Sequence, residues 1–217
     1  MKIFLFIDET NIDLNNELID FCKNKFDILN IFDNSNLYDN TKYNDDIDFS
    51  ISFLNGYIIK DNNILNKKCI NFHPSTQKYR GVCGSVLALY NDDEYFGCTA
   101  HYINSNVDDG GIISVNTFKI DKNIDCYELS KLSKRECLHL SFNLLMEIYN
   151  SNNLPSIDSN LYWGEILMTR KKFKDWMIVN IEDNVELQKK IKACKNKVFP
   201  GPFIKIDNKL YSLQEIT

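Results

Sequence analysis

Two polar residues, Asn71 and His73, interrupt and end the apolar run CINFH. Two apart on what reads as the end of a strand, they project to the same side of a sheet. An amide donor beside an imidazole can stabilise an oxyanion and move a proton, which are the two needs of acyl-type transfer. Asp108 lies in the glycine-containing loop NVDDGG, where its carboxylate could accept the His73 N–H, fix the tautomer and favour the charged ring. The same three residues also read as ordinary hydrogen-bonded structural groups, and spacing alone does not separate the two.

The remaining candidates are weaker. His101 sits mid-strand in TAHYI and is expected to be packed and hydrogen-bonded rather than catalytic, and His139 lies on a long helix. Tyr79 and Arg80 precede Gly81 at the rim of the proposed site. The planar fork of Arg80 could grip a diphosphate, or it could be solvated. Arg170, Lys171, Lys172 and Lys174 form a basic cluster that reads as a solvated face. Three scattered histidines and seven cysteines without a CxxC pair lack ligand spacing, so no metal is expected. The cysteines read as small buried hydrophobes of a reduced, cytoplasmic protein.

These residues need a scaffold, and the chain reads as one α/β core. Lys2 to Ile7, residues 15 to 25 and Asp27 to Phe32 have strand, helix and strand character, an order that demands a crossover and a parallel sheet. The Asn- and Asp-rich stretch from Asp33 to Asp48 looks like a surface connection with one helical turn. Strands are expected at Asp48 to Leu54, Cys69 to Phe72, Tyr95 to Ile103 and Ile112 to Ile120, the last two running antiparallel across the Asp108 loop. SVLALYN and Cys126 to Asn150 are helices by pattern, as is Val185 to Lys195, and PGPFIKIDNKLYSL reads as a hairpin. The fold expectation is an open, mostly parallel Rossmann-like sheet with helices on both faces. Residues 1–180 would form the catalytic domain, and 181–217 a small helix and β-hairpin subdomain.

Composition narrows the partners. Thirty acidic against twenty-five basic residues give a formal charge of -5, so there is no global field to collect nucleic acid. The opening MKIFLFIDETN reads as a strand rather than a signal peptide, and no stretch is apolar enough to cross a membrane.

INFHPSTQKYRG, ALYN, EYFGCTAHYI and VDDGGII, in that order, resemble the catalytic half of the folate-dependent formyltransferases. The resemblance implies transfer of a formyl group from 10-formyltetrahydrofolate to an amine. It makes Asn71, His73 and Asp108 the catalytic triad. DFSISFLNGYII resembles the segment lining the pterin pocket, which implicates Phe53, Leu54, Asn55, Gly56, Tyr57 and Ile58, with Val107 and Asp109 beside the triad aspartate. The stretch from Lys190 to Leu213 resembles the branch that formylates nucleotide-linked amino sugars.

Departures from the family's pattern sharpen the expectation. Asp8, Glu9, Thr10 and Asn11 stand where purine-pathway relatives carry a glycine-rich phosphate loop, so a phosphate is unwelcome there. Too little chain follows the catalytic half for the carboxyl-terminal barrel of methionyl-tRNA formyltransferases, and the extra domain of formate-releasing hydrolases is not seen. The expected acceptor is dTDP-4-amino-4,6-dideoxyglucose or a 3-amino isomer, held by Tyr79, Arg80, Tyr162 and Trp163. Glycinamide ribonucleotide formylation and a non-catalytic folate or nucleotide binder are the alternatives. The apolar hairpin predicts a homodimer.

Overall fold

The computed structural model describes residues 1–33, 46–59, 62–66, 68–195, 201–207 and 209–213. Its first elements are strand β1 (Lys2–Ile7), a 3-10 turn (Glu9–Asn11), helix α1 (Ile12–Lys23) and strand β2 (Asp27–Phe32). Strand β3 (Phe49–Phe53), helix α2 (Asn62–Asn66) and strand β4 (Cys69–His73) follow. Next come β5 (Arg80–Gly81), α3 (Gly84–Tyr90), β6 (Tyr95–Tyr102), β7 (Ile112–Lys119) and α4 (Cys126–Ser151). The chain continues through β8 (Leu167–Met168), α5 (Arg170–Trp176), α6 (Asn184–Cys194), β9 (Phe203–Ile206) and β10 (Lys209–Ser212).

The main sheet has the order β2-β1-β3-β4-β6-β7. From β2 to β4 the pairs are parallel, and β4–β6 and β6–β7 are antiparallel. Alternation along β1 builds both layers. Ile3 and Leu5 join Leu18, Leu138 and Leu144 under α1 and α4, while Phe4 and Phe6 join Phe32, Ile59 and Ile64 on the opposite face. The long helix α4 starts where the Asp125 side chain accepts the Glu128 N–H, and it buries one stripe from Leu129 to Ile148.

The expected open, mostly parallel sheet is present, and among the described residues the second face is covered by the one-turn helix α2 and loop segments. The expected connection from Asp33 to Asp48 lies largely outside the described residues. Helix α5 is an element that the basic cluster concealed: Thr169 caps it by accepting the Lys172 N–H, and Phe173 buries against the rest. Helix α6 buries Ala193 and Cys194 in that same cluster, and Phe203 pairs through its backbone with Met177 and Val179. The carboxyl-terminal helix and hairpin therefore share a core with α3 and α5.

Candidate active site

Strand β4 delivers Asn71 and His73, and its antiparallel neighbour β6 sets His101 opposite Asn71. His101 Nδ1 is 2.8 Å from the Tyr102 carbonyl, which can only accept, so the ring proton belongs on Nδ1. Nε2 is then the acceptor for Asn71 Nδ2 at 3.0 Å. One amide N–H is spent on His101, and the second is left for a ligand oxygen.

His73 is held differently. Its Nε2 donates to the Tyr79 carbonyl at 2.9 Å, and its Nδ1 lies 3.5 Å from Asp108 Oδ2. Asp108 Oδ1 lies 3.5 Å from His101 Nε2, so one carboxylate sits between two imidazoles. Burial alone would raise the Asp108 pKa, but a charged His73 ring and the Gly81 N–H at 2.8 Å outweigh it and bring it down to about 2. Asp108 therefore stays ionised between the two rings.

The backbone around these groups is strained where it meets the cavity. Leu54, Cys83 and Asp108 have positive φ of 48, 62 and 44° although none is glycine. Gly81 has φ 87° and packs so close to β8 that a Cβ would stand 2.2 Å from the Met168 carbonyl. This contact fixes the N–H that Asp108 accepts. Arg80 clamps the same loop, donating from Nε to the Asp108 carbonyl at 2.7 Å and from Nη2 to Asp109 Oδ1 at 2.6 Å.

A cavity of about 660 Å³ opens over the strand ends, a size that suits a small-molecule site. Asn71, His73, His101 and Asp108 line it together with Leu54 to Ile59, Ile103 and Val107 and with Asp8, Asn11, Ser130, Lys134 and Arg170.

Residues 55–137 match the formyl transferase family. A methionyl-tRNA formyltransferase of Borreliella afzelii is 32% identical over 155 residues, covering 68% of this chain and 47% of that protein. The chain spans about half the length of the curated relatives it matches. A 4-N formyltransferase from Francisella tularensis superposes with a TM-score of 0.76 at 14% identity, covering 99% of this chain and 98% of that one. An N-formyltransferase from Helicobacter canadensis, solved with folinic acid and dTDP-3-aminofucose, superposes with a TM-score of 0.69 at 20% identity over 96% of this chain and 85% of that one.

The chain carries the formyl transferase fold and, through residues 55–137, that family's sequence.

Against this formyl transferase framework several expected site residues move. Leu54, Asn55, Gly56, Tyr57, Ile58 and Val107 line the cavity as expected, but Phe53 points into the core and is fully buried. Ser52, one place earlier on the alternating strand, takes the lining position. Asp109 is turned to Arg80 and Asn106. Arg80 is not available to a diphosphate as expected, because its guanidinium is committed to the Asp108 loop. Tyr79 is buried, with its hydroxyl donating to Asp93 at 2.6 Å. Tyr162 is 76% exposed and outside the lining.

Trp163 stands close to the site but as a support. Its ring is 4.9 Å from that of His101 and 6.1 Å from that of His73, and its indole N–H donates to the Gly110 carbonyl at 2.7 Å. It braces both imidazoles and does not line the cavity.

His101 is packed and hydrogen-bonded as expected, and in addition it reaches the cavity lining. Its signal was the β4–β6 register, which becomes visible only once those strands pair. Within the basic cluster, the solvated-face reading holds for Lys171, Lys172 and Lys174, whereas Arg170 joins the lining. Among the described residues no group of His, Cys, Asp or Glu could hold a metal, and the cysteines are free thiols.

Proposed function

We propose that this protein transfers a formyl group from 10-formyltetrahydrofolate to the amine of a nucleotide-linked amino sugar, a dTDP-4-amino-4,6-dideoxy sugar or its 3-amino isomer. The observation that carries the reading is the Asn71, His73 and Asp108 cluster lining a cavity at the strand ends. Leu54, Asn55 and Tyr57 to Ile59, with Val107, offer apolar side chains and backbone polar groups suited to a flat pterin, and the reduced folate supplies the activated formyl carbon. The acceptor takes the part of the cavity around Asp8 and Arg170, which Gly56 borders. The Helicobacter canadensis structure, solved with folinic acid and dTDP-3-aminofucose, supports a site that takes both ligand classes.

In this mechanism Asn71 gives its second N–H to the oxygen that becomes negative as the amine adds to the formyl carbon. His73, whose Nε2–H is committed to the Tyr79 carbonyl, takes the attacking amine's proton on Nδ1, where Asp108 stabilises the charged ring, and returns it from Nδ1 to the departing nitrogen. His101 holds the Asn71 amide in place.

The protein acts as a cytoplasmic enzyme in which residues 181–217 form a subdomain of the catalytic domain. It pairs as a homodimer through the hairpin, where Ile206, Leu210 and Tyr211 stay about half exposed. No helix among the described residues is long and apolar enough to cross a membrane. A methionyl-tRNA acceptor is the second reading, favoured by identity to the Borreliella enzymes. Incubation with 10-formyltetrahydrofolate and, in parallel, amino-sugar conjugates, glycinamide ribonucleotide and methionyl-tRNA tests the reading. Formylation of the sugar conjugates is expected, and formylation of only another acceptor would overturn it.

A further inference from the structure

At the end of β1 the Asp8 carboxylate divides its work. Oδ1 accepts the Thr10 backbone N–H at 2.8 Å and the Thr10 hydroxyl, which caps the 3-10 turn. Oδ2 turns towards Gly56, where an added Cβ would lie 3.6 Å from it. Arg170 Nη2 reaches to 3.7 Å of that same point. A carboxylate edge and a guanidinium edge thus flank one spot that only a glycine leaves open. No ion pair holds either to a described residue. Both line the cavity that contains Asn71 and His73.

The chemistry of that gap is selective. A phosphate would satisfy Arg170 but set its negative oxygens against Asp8. An ammonium would satisfy Asp8 but meet Arg170, and in that protonated form it is no nucleophile. A hydroxyl satisfies both, donating to the carboxylate and accepting from the guanidinium. We propose that the gap over Gly56 is a hydroxyl-recognition subsite, in which Asp8 and Arg170 grip a hydroxyl of the amine acceptor's polyol ring and Asp8 keeps phosphate out. This rests on the reading of the cavity as an acceptor site, and it assigns the sugar rather than its carrier phosphates to this pair.

The test is calorimetric binding of dTDP-4-amino-4,6-dideoxyglucose and, separately, of dTDP to wild type, Asp8→Asn, Arg170→Met and Gly56→Ala. Asp8→Asn keeps an oxygen for the Thr10 cap but replaces the Oδ2 acceptor with a donor. Gly56→Ala adds a methyl at ordinary van der Waals distance, so its thermal melt should match wild type while the gap is filled. All three variants should bind the sugar conjugate at least about tenfold more weakly, as expected for losing a hydrogen bond to a charged group. Asp8→Asn and Arg170→Met should bind dTDP as wild type does. Unchanged affinity of Asp8→Asn for the conjugate would overturn the proposal, as would equal losses for conjugate and dTDP, or a wild type that binds neither. A wild type that binds the conjugate with these contrasts yet forms no formylated product would leave the subsite standing and overturn only the transfer reading.

Discussion

Asn71 Nδ2 lies 3.0 Å from His101 Nε2, a contact that antiparallel pairing of β4 and β6 sets directly across the sheet. Because His101 Nδ1 is committed to the Tyr102 carbonyl, the contact dictates which way the Asn71 amide faces. His101→Ala should therefore lower kcat by about 10- to 100-fold with little change in KM, as expected when a catalytic group loses its orientation. His101→Gln, which can still offer an acceptor, should recover part of the loss. Equal losses in the two variants would reduce His101 to a packing residue.

Asn71→Ala, His73→Ala and Asp108→Ala should each reduce turnover about 100- to 1000-fold, the usual cost of a missing oxyanion donor or proton carrier. Asp109→Ala should act far more weakly, since its carboxylate reaches only Arg80 and Asn106. Arg80→Leu should fall between them, because it frees the loop that carries Asp108. Steady-state kinetics on the set checks the order, and a larger loss at Asp109 than at Asp108 would exchange their roles.

Much of this was legible before folding was considered. Period-two spacing puts Asn71 and His73 on one side, and short apolar, β-rich runs mark β1, β3, β4 and β6. His101, Arg80 and Trp163 were not legible, because each takes its role from a partner distant in sequence. The Arg80 guanidinium finds carbonyls that only the strained turn at Asp108 presents. Trp163 meets the histidines only after β8 pairs with β5 and draws its segment over the site. Phe53 and Ser52 exchange the expected places because a strand alternates faces, and a motif read as a block does not record which face lines the cavity.

Acid should reveal the Asp108 pair. A folded pKa of about 2 lies below the ordinary carboxylate value, so the ionised group stabilises the fold fully above roughly pH 4. That contribution, on the order of 2 kcal/mol, is lost as pH falls towards 2. Thermal melts of wild type and Asp108→Asn should differ at pH 6 and converge between about pH 4 and 2. A difference that grows on acidification would contradict the assignment.

Two glycines should behave oppositely on substitution by alanine. At Gly110 the new Cβ would stand 1.8 Å from the Tyr102 carbonyl oxygen, so backbone must move and the melting temperature should drop by several degrees, about 2 kcal/mol or more. At Gly56 the nearest atoms are 3.6 Å away and the melt should not change. Differential scanning calorimetry on the pair checks both, and an unchanged Gly110→Ala would show that the loop is looser than the close approach demands.

The hairpin offers Ile206, Leu210 and Tyr211 to a partner, while Phe203 is already half-buried against α3 and α5. Light scattering at micromolar concentration should give twice the chain mass, and Leu210→Glu with Tyr211→Glu should halve it. A wild-type monomer would remove the dimer.

The central claim is formyl transfer to a sugar amine, and mass spectrometry of the acceptor reads it directly. Wild type and His73→Ala are incubated side by side with 10-formyltetrahydrofolate and dTDP-4-amino-4,6-dideoxyglucose or its 3-amino isomer. Wild type should convert one conjugate to a product heavier by a single formyl group, with His73→Ala slower by about 100-fold or more. Unmodified conjugates after prolonged incubation with wild type, or equal conversion by the two proteins, would contradict the account.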